Sequence, residues 1–265
     1  MNVFMREMKA NRKALIIWSI GVFLMVASSM VKYAGLQASG QSINDLLVSM
    51  PQSLKAIMGM GTFDLSTANG YYGVLFIYLA MLATIHATML GATIISKEER
   101  DKTSEFLFLK PISRSKIITA KLLAAFVNVV IINLVMLVSS ILMVQKYNHG
   151  EAFIGEITRL MLGMFILQLI FLLIGTALAA ISKHPKTAPS HATGILLFTF
   201  ILSMAIDMNS RIENLKYLTP FKYFDAKNVN SSVGFEPVFV ILSASLIVVL
   251  LSTTYVFYRK RDLNV

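Results

Sequence analysis

Six long apolar stretches determine what this chain can fold into. Each holds roughly 20 residues, about the number that a helix needs to cross a bilayer, and none has an Asp, Glu, Lys or Arg in its interior. The fifth stretch is the shortest and begins beside Pro189, a residue type that the first turn of a helix tolerates. We therefore predict an all-α integral membrane protein, a single transmembrane domain over residues 1–265, with six transmembrane helices at about residues 14–31, 73–95, 122–144, 160–181, 190–206 and 237–258.

The basic residues predict how the helices are oriented. Sixteen of the 24 Lys and Arg residues lie on the side of the spans that carries both termini, and eight lie on the other side. Because Lys and Arg accumulate in cytoplasmic loops, we expect both termini in the cytoplasm. The same bias accounts for the net charge of +10. We therefore expect the lipid bilayer, and no nucleic acid, as the partner of these basic residues. A cleaved signal peptide is the rival interpretation of the first stretch, which is longer than a signal core of about 7–15 residues.

A densely charged segment, residues 96–121, lies between the second and third spans. Ser96 and Glu99 have the spacing of a capping box, which starts a helix. Pro111 ends that helix, since the residue before a proline avoids helical backbone, and Ser113 can cap the third span. We therefore predict a short cytoplasmic coupling helix between spans 2 and 3.

The coupling helix and the N-terminus each have an apolar face. Phe106 and Leu109 are three residues apart, which places them on one side of a helix. Phe4, Met5 and Met8 follow a helical periodicity before the first span, and the basic residues of this segment, Arg6, Lys9 and Lys13, fall on the opposite face. The N-terminal pattern predicts an amphipathic elbow helix in the inner headgroup layer, and a simple basic tail is the alternative.

Polar and small residues inside the spans predict helix contacts. His86 is an ionisable group deep in the second span, which makes it a candidate residue of a transport pathway; its more ordinary role is a neutral imidazole that is hydrogen-bonded between helices. Asn128, Asn133 and Gln168 are expected to form hydrogen bonds between helices. Small residues at four-residue spacing predict close helix approach in spans 2 and 4, at Ala83, Ala87, Gly91, Gly175 and Ala179.

The charged segment also resembles a known family. Residues 98–107 read Glu-Glu-Arg-Asp-Lys-Thr-Ser-Glu-Phe-Leu, and residues 110–114 read Lys-Pro-Ile-Ser-Arg. These residues are similar to the first cytoplasmic loop of ABC-2 type permeases, the membrane subunits of ATP-binding-cassette exporters. The chain departs from the usual pattern at Lys102, where glycine is common, and at Ser104, where leucine is common. A Pro-Phe-x-Tyr-Phe sequence at residues 220–224 also resembles the loop before the last span in that family.

The resemblance implies a permease subunit in a bacterial plasma membrane. It implies a second permease copy as partner, identical or a close paralogue, and two copies of a cytoplasmic ABC ATPase that bind the ATP and Mg²⁺, with no cofactor on this chain. It implies that the elbow residues touch the ATPase, and that a loop of re-entrant helices roofs the pathway at Pro220, Phe221, Tyr223 and Phe224; interfacial anchoring without gating is the alternative. The ATPase-coupling residues that it implies are Glu98, Glu99, Arg100, Asp101, Lys102, Thr103, Glu105, Phe106 and Leu109.

Motifs that would indicate an enzyme are missing from the sequence. It has no Gly-x4-Gly-Lys-Ser/Thr motif to hold ATP phosphates, no cysteine, and four histidines without the spacing of a metal site. We therefore do not expect the chain to be an enzyme or to hold a metal. The uncharged spans favour amphipathic or hydrophobic cargo, and the resemblance to compact members of the family suggests antimicrobial or toxic peptides. Export of a lipid-linked glycan or of sodium stays open as an alternative. The alternatives are a non-transporting scaffold or sensor subunit, and an ion-coupled carrier that depends on His86.

Overall fold

The part of the chain that the structure describes contains six helices that are each long and apolar enough to cross a membrane. In chain order they are α1 (Val3–Ala38), α2 (Ala68–Arg100), α3 (Arg114–Tyr147), α4 (Ile154–Ile181), α5 (Ala188–Met208) and α6 (Pro237–Lys260), with 3₁₀ helices at Ser210–Leu218 and Pro220–Lys222 between α5 and α6. The predicted number of candidate spans is therefore confirmed, and each predicted stretch lies within one helix. The computed structural model describes residues 3–38, 50–51, 54–55, 58–60, 63–101, 112–147, 153–182, 184, 186–226 and 234–260.

Local sequence sets where several helices begin. Thr67 precedes α2, and its hydroxyl accepts a hydrogen bond from the Gly70 amide at 3.1 Å. Ser113 precedes α3 and accepts one from the Lys116 amide at 3.4 Å, so the predicted cap of this helix is confirmed. Side chains of this type replace the partners that the first amides of a helix lack.

The predicted elbow helix is not a separate element. α1 runs without a break from Val3 to Ala38 and, at 36 residues, is about 54 Å long, well beyond the roughly 30 Å of a bilayer core. The reason is that residues 9–14, Lys-Ala-Asn-Arg-Lys-Ala, contain neither proline nor glycine to interrupt the helix.

The predicted capping box at Ser96 is wrong. Ser96 is buried inside α2, and its hydroxyl donates to the Ala92 carbonyl at 2.7 Å. A serine within a helix can bond to the carbonyl four residues earlier instead of capping a new helix, and α2 continues to Arg100. The predicted coupling helix falls mainly on residues 102–111, which lie outside the described residues.

α2 and α4 form the centre of the bundle. About two thirds of each span, 67%, is buried, and the two backbones touch where glycines face each other. A Cβ atom on Gly91 would overlap the Leu172 carbonyl oxygen, and one on Gly175 would overlap that of Thr88. The close approach predicted from the small residues is therefore confirmed at these two glycines.

Polar contacts join the remaining spans to this centre. Asn133 of α3 donates to Gln168 of α4 at 3.0 Å, as predicted. Asn128 donates instead to the Ala124 carbonyl of its own helix at 2.7 Å and to the Met8 sulfur of α1 at 3.3 Å. The outer helices α1 and α6 are only 17% buried over their spans, and exposed apolar side chains cover both.

Candidate functional site

Two groups of buried charges lie at opposite ends of the bundle. We call the end that carries Val3, Arg100, Arg114 and Lys260 the terminal end, and the end that carries Ala38, Met208 and Pro237 the loop end. The terminal ion cluster comprises Arg6, Glu7, Lys97, Glu98 and Lys121, and the loop ion cluster comprises Asp207, Lys222 and Asp225.

Lys121 of α3 is the centre of the terminal ion cluster. Its side chain is fully buried, and its ammonium group donates to both carboxylate oxygens of Glu98 at 2.7 Å and to the Ile94 carbonyl at 2.6 Å. The Glu7 carboxylate lies 3.5 Å from the same nitrogen. Lys121 therefore joins α3 to both α2 and α1.

The start of α1 completes the cluster. Glu7 is fully buried and accepts from Lys97 of α2 at 2.7 Å and from its neighbour Arg6 at 3.0 Å. Arg6 also donates to Glu98 of α2 at 2.6 Å. Each buried carboxylate thus bonds to cations from two helices, as buried charges must if they are to be tolerated.

The loop ion cluster fixes the chain that follows α5. Lys222 donates to both oxygens of Asp207, at the end of α5, at 2.7 Å and to Asp225 at 2.9 Å. Burial alone would lower the pKa of Lys222, but the carboxylates of Asp225 and Asp207 outweigh it and raise the pKa. Lys222 therefore stays charged and holds the second 3₁₀ helix against α5.

The predicted gate residues surround this lysine. Pro220, Tyr223 and Phe224 are buried, and Phe221 contacts the rings of Phe171 of α4 and Phe200 of α5. Burial also raises the pKa of Tyr223 to about 12, so its hydroxyl remains a donor, bonded to the Tyr217 carbonyl at 2.6 Å. The structure thus brings all four residues together as a packed segment over the loop end.

A small cavity lies beneath this segment. Its volume is about 60 Å³, and it is lined mainly by apolar side chains of α2, α4 and α5, with the loop ion cluster at its edge. The apolar lining includes Phe76, Met164, Leu167, Phe200, Phe221 and Phe224.

Comparison with known protein families identifies the group to which this chain belongs. The family described as "ABC-2 family transporter protein" matches this chain over residues 1–263. The chain is a member of the ABC-2 transporter family. A comparison with curated proteins finds no match. As an ABC-2 permease it is a multi-pass membrane component of a transporter, and such subunits generally pair with ATPase subunits and are not catalytic themselves.

The predicted coupling residues of this ABC-2 permease lie in different environments. Glu98 lies inside the terminal ion cluster and is only 5% exposed, Glu99 is half-buried, and Arg100 and Asp101 are exposed at the end of α2. The hydrogen bond from Arg100 at 3.0 Å lowers the pKa of Asp101. Lys102, Thr103, Glu105, Phe106 and Leu109 lie outside the described residues.

The residues of the predicted elbow helix lie in two different environments. Phe4 and Met8 pack against the apolar cluster formed by α2, α3, α4 and α6, whereas Met5 is half exposed. Most of the predicted apolar face of this segment therefore lies against the bundle.

His86 is buried beside α1. Its ring makes an edge-to-face contact with Trp18, with 5.3 Å between the ring centroids. Within the part of the chain that the structure describes, its Nδ1 atom has no hydrogen-bond partner. The interhelical hydrogen bond expected for this histidine is therefore not seen at Nδ1.

Sequence reasoning missed Glu7, Lys121 and Lys222 as members of ion clusters. The two lysines were counted only as flanking charges. Glu7 gave a usable signal, because it is the sole acidic residue before Asp45 in a segment where cations are expected, and an isolated carboxylate at the start of a span indicates a specific partner.

Proposed function

We propose that this ABC-2 permease forms the translocation path of an ABC exporter in a bacterial plasma membrane. Two permease copies pair, and two cytoplasmic ABC ATPases dock at the terminal end, where they bind ATP and Mg²⁺. The observation that carries the proposal is the family match over residues 1–263 of a chain with six candidate spans.

The position of residues 102–111 supports docking at the terminal end. This charged segment connects the end of α2 to the start of α3, and both ends are anchored in the terminal ion cluster through Glu98 and Lys121. Any force on the segment therefore acts directly on two spans. Phe106 and Leu109 are the proposed apolar anchors, and Glu99, Arg100 and Glu105 are the proposed charged rim.

The transport cycle follows from this attachment. Closure of the ATPase dimer upon ATP binding moves residues 102–111, and the displacement tilts α2 and α3. The path between the two permeases then opens toward the loop end, where the segment around Phe221 covers the bundle. ATP hydrolysis separates the ATPases and restores the starting arrangement.

The proposed cargo is amphipathic or hydrophobic. The six predicted spans have no Asp, Glu, Lys or Arg in their interiors, which suits a molecule with an apolar face better than a small ion. Antimicrobial or toxic peptides are the class to test first, since they combine an apolar face with charge.

The test is co-purification with the ABC ATPase encoded beside this chain. Wild type is expected to form a complex, whereas Phe106→Asp and Glu105→Lys reduce its recovery several-fold because they remove an apolar anchor and reverse a rim charge. Lys116→Glu, a charge reversal at an exposed position early in α3, is the matched control and leaves recovery unchanged.

The outcomes separate the proposal from its rivals. A complex whose ATP hydrolysis changes when amphipathic peptides are added supports the exporter. A complex with no response to any cargo favours a scaffold or sensor subunit. Transport that needs a proton or sodium gradient and His86, but no ATPase, would replace the proposal with an ion-coupled carrier.

A further inference from the structure

The terminal ion cluster does more than neutralise charge, because its members come from three separate helices. Glu7 belongs to α1, Lys97 and Glu98 belong to α2, and Lys121 belongs to α3. The cluster therefore fixes the spacing of three helix ends at the place where residues 102–111 join the bundle.

We propose that the terminal ion cluster makes the ends of α1, α2 and α3 one mechanical unit, so that force on residues 102–111 moves α1 together with α2 and α3. Glu7 and Lys121 are positioning residues in this unit. The proposal rests on the proposed function, since it assigns the route by which an ATPase would act on the first span.

The geometry supports a rigid unit. The Lys121 ammonium group donates to both carboxylate oxygens of Glu98 and contacts Glu7, so one buried cation bridges three helices. Removal of one partner leaves a buried charge unpaired, which is far more costly than loss of a surface ion pair. Separation of the three ends would have the same effect, because it breaks several charge-assisted hydrogen bonds at once.

Apolar packing around the cluster favours the same unit. Phe4 and Met8 of α1 pack against the apolar cluster that includes Ile94 of α2 and Ile117 of α3. Asn128 of α3 also donates to the Met8 sulfur. α1 is thus attached to α2 and α3 by ionic and apolar contacts over its first two turns.

Spin-label distances in the complex with the ATPase test the proposal. The chain has no cysteine, so labelled cysteines can be introduced in pairs without background. The first pair, Arg12→Cys with Lys116→Cys, uses exposed positions on α1 and α3. The second pair, Arg12→Cys with Lys186→Cys, joins α1 to an exposed position just before α5, outside the cluster.

The proposal predicts different behaviour of the two pairs. Between the nucleotide-free complex and the complex trapped with ATP and vanadate, the first distance stays constant while the second changes. In Glu7→Gln, the distance distribution of the first pair broadens and shifts with nucleotide. Cargo-stimulated ATP hydrolysis falls on the order of tenfold in this variant, the factor that corresponds to one lost hydrogen bond to a charged group. Lys13→Gln, at an exposed position on the same helix, is the control and changes neither.

Lys121→Arg distinguishes loss of the ion cluster from a general intolerance of this site to substitution. The variant preserves the cation, so the first distance is expected to stay constant. If the site tolerated no change at all, the first distance would vary in this variant too. A first distance that changes with nucleotide in wild type would overturn the rigid unit while leaving the exporter intact. Absence of an ATPase complex with wild type would instead overturn the proposed function.

Discussion

The two ion clusters both pair charged side chains that have little access to solvent, but they differ in which parts of the chain they join. The terminal ion cluster joins residues that are more than 100 positions apart in the chain, on three spans, whereas the loop ion cluster joins three residues between Asp207 and Asp225. In the terminal ion cluster the Glu7 side chain is fully buried, whereas in the loop ion cluster the Asp207 side chain is 27% exposed. The first cluster therefore joins three helices, whereas the second holds the segment after α5 against the end of that one helix.

The largest effect is expected from Lys121→Met. This change leaves the carboxylates of Glu7 and Glu98 buried without their central cation, which costs about 3–5 kcal/mol when one partner of a buried pair is lost. We expect a clear fall in the thermal midpoint of the permease in detergent. Lys116→Met, at an exposed position on the same helix, is the control, and equal losses in the two variants would contradict the special role of Lys121.

A second substitution disturbs the α2–α4 contact that lies between the two clusters. Gly91→Ala places a methyl group against the Leu172 backbone of α4, and forced overpacking of this kind costs about 1–3 kcal/mol. α4 also contacts the loop segment, since a Cβ on Gly163 would lie 2.9 Å from the Phe224 Cβ. We therefore expect loss of stability together with faster proteolysis of the loop between α5 and α6.

Gly21→Ala is the matched control for this variant. Gly21 lies inside α1, and a methyl group added there would meet nothing within 4 Å, while alanine is the better helix former by about 1 kcal/mol. The control is expected to be neutral or slightly stabilising, so a similar loss in both variants would argue against the α2–α4 contact.

A smaller effect is expected from Lys222→Met. The variant removes the cation that pairs with Asp207 and Asp225. Because water reaches both carboxylates, we expect the loop segment to lose only about 1–2 kcal/mol of stabilisation. The loss is local, and protease cleavage between α5 and α6 is expected to accelerate with little change in the thermal midpoint. Lys216→Met, which removes an exposed pair with Glu213, is expected to change cleavage much less, and a fall in midpoint as large as that of Lys121→Met would remove the distinction between the clusters.

The smallest effect concerns pH at the loop end. Because the pKa of Lys222 is raised in the folded protein, its ion pairs contribute fully below the ordinary lysine pKa of about 10.4 and are lost only as pH rises through the higher folded value. Protease protection of the loop is therefore expected to be constant from about pH 7 to pH 9.5 and to fall above about pH 10.5. Loss of protection near neutral pH would contradict the assignment.

Hydropathy predicted the fold because long apolar stretches have one stable arrangement in lipid. The facing glycines and the Asn133–Gln168 hydrogen bond were also predictable, since small and polar residues inside spans must contact other helices. The start and end of α1 and α2 were not, because a charged segment without proline or glycine continues a helix as readily as it starts one. The terminal ion cluster was hidden because Glu7, Glu98 and Lys121 each look like an ordinary charge at the edge of a span, and only their meeting in three dimensions makes them a site.

The length of α1 has a consequence for how small a movement needs to be. A continuous helix of 36 residues is about 24 Å longer than the bilayer core, and this excess is shared between its two ends. The part before the predicted span, residues 3–13, is about 16 Å long and carries Arg6 and Glu7. A tilt of only about 10° inside the membrane displaces a tip at that distance by about 3 Å. A small tilt of the span and a displacement of several ångström at the tip that carries Arg6 and Glu7 are therefore the same movement of one helix.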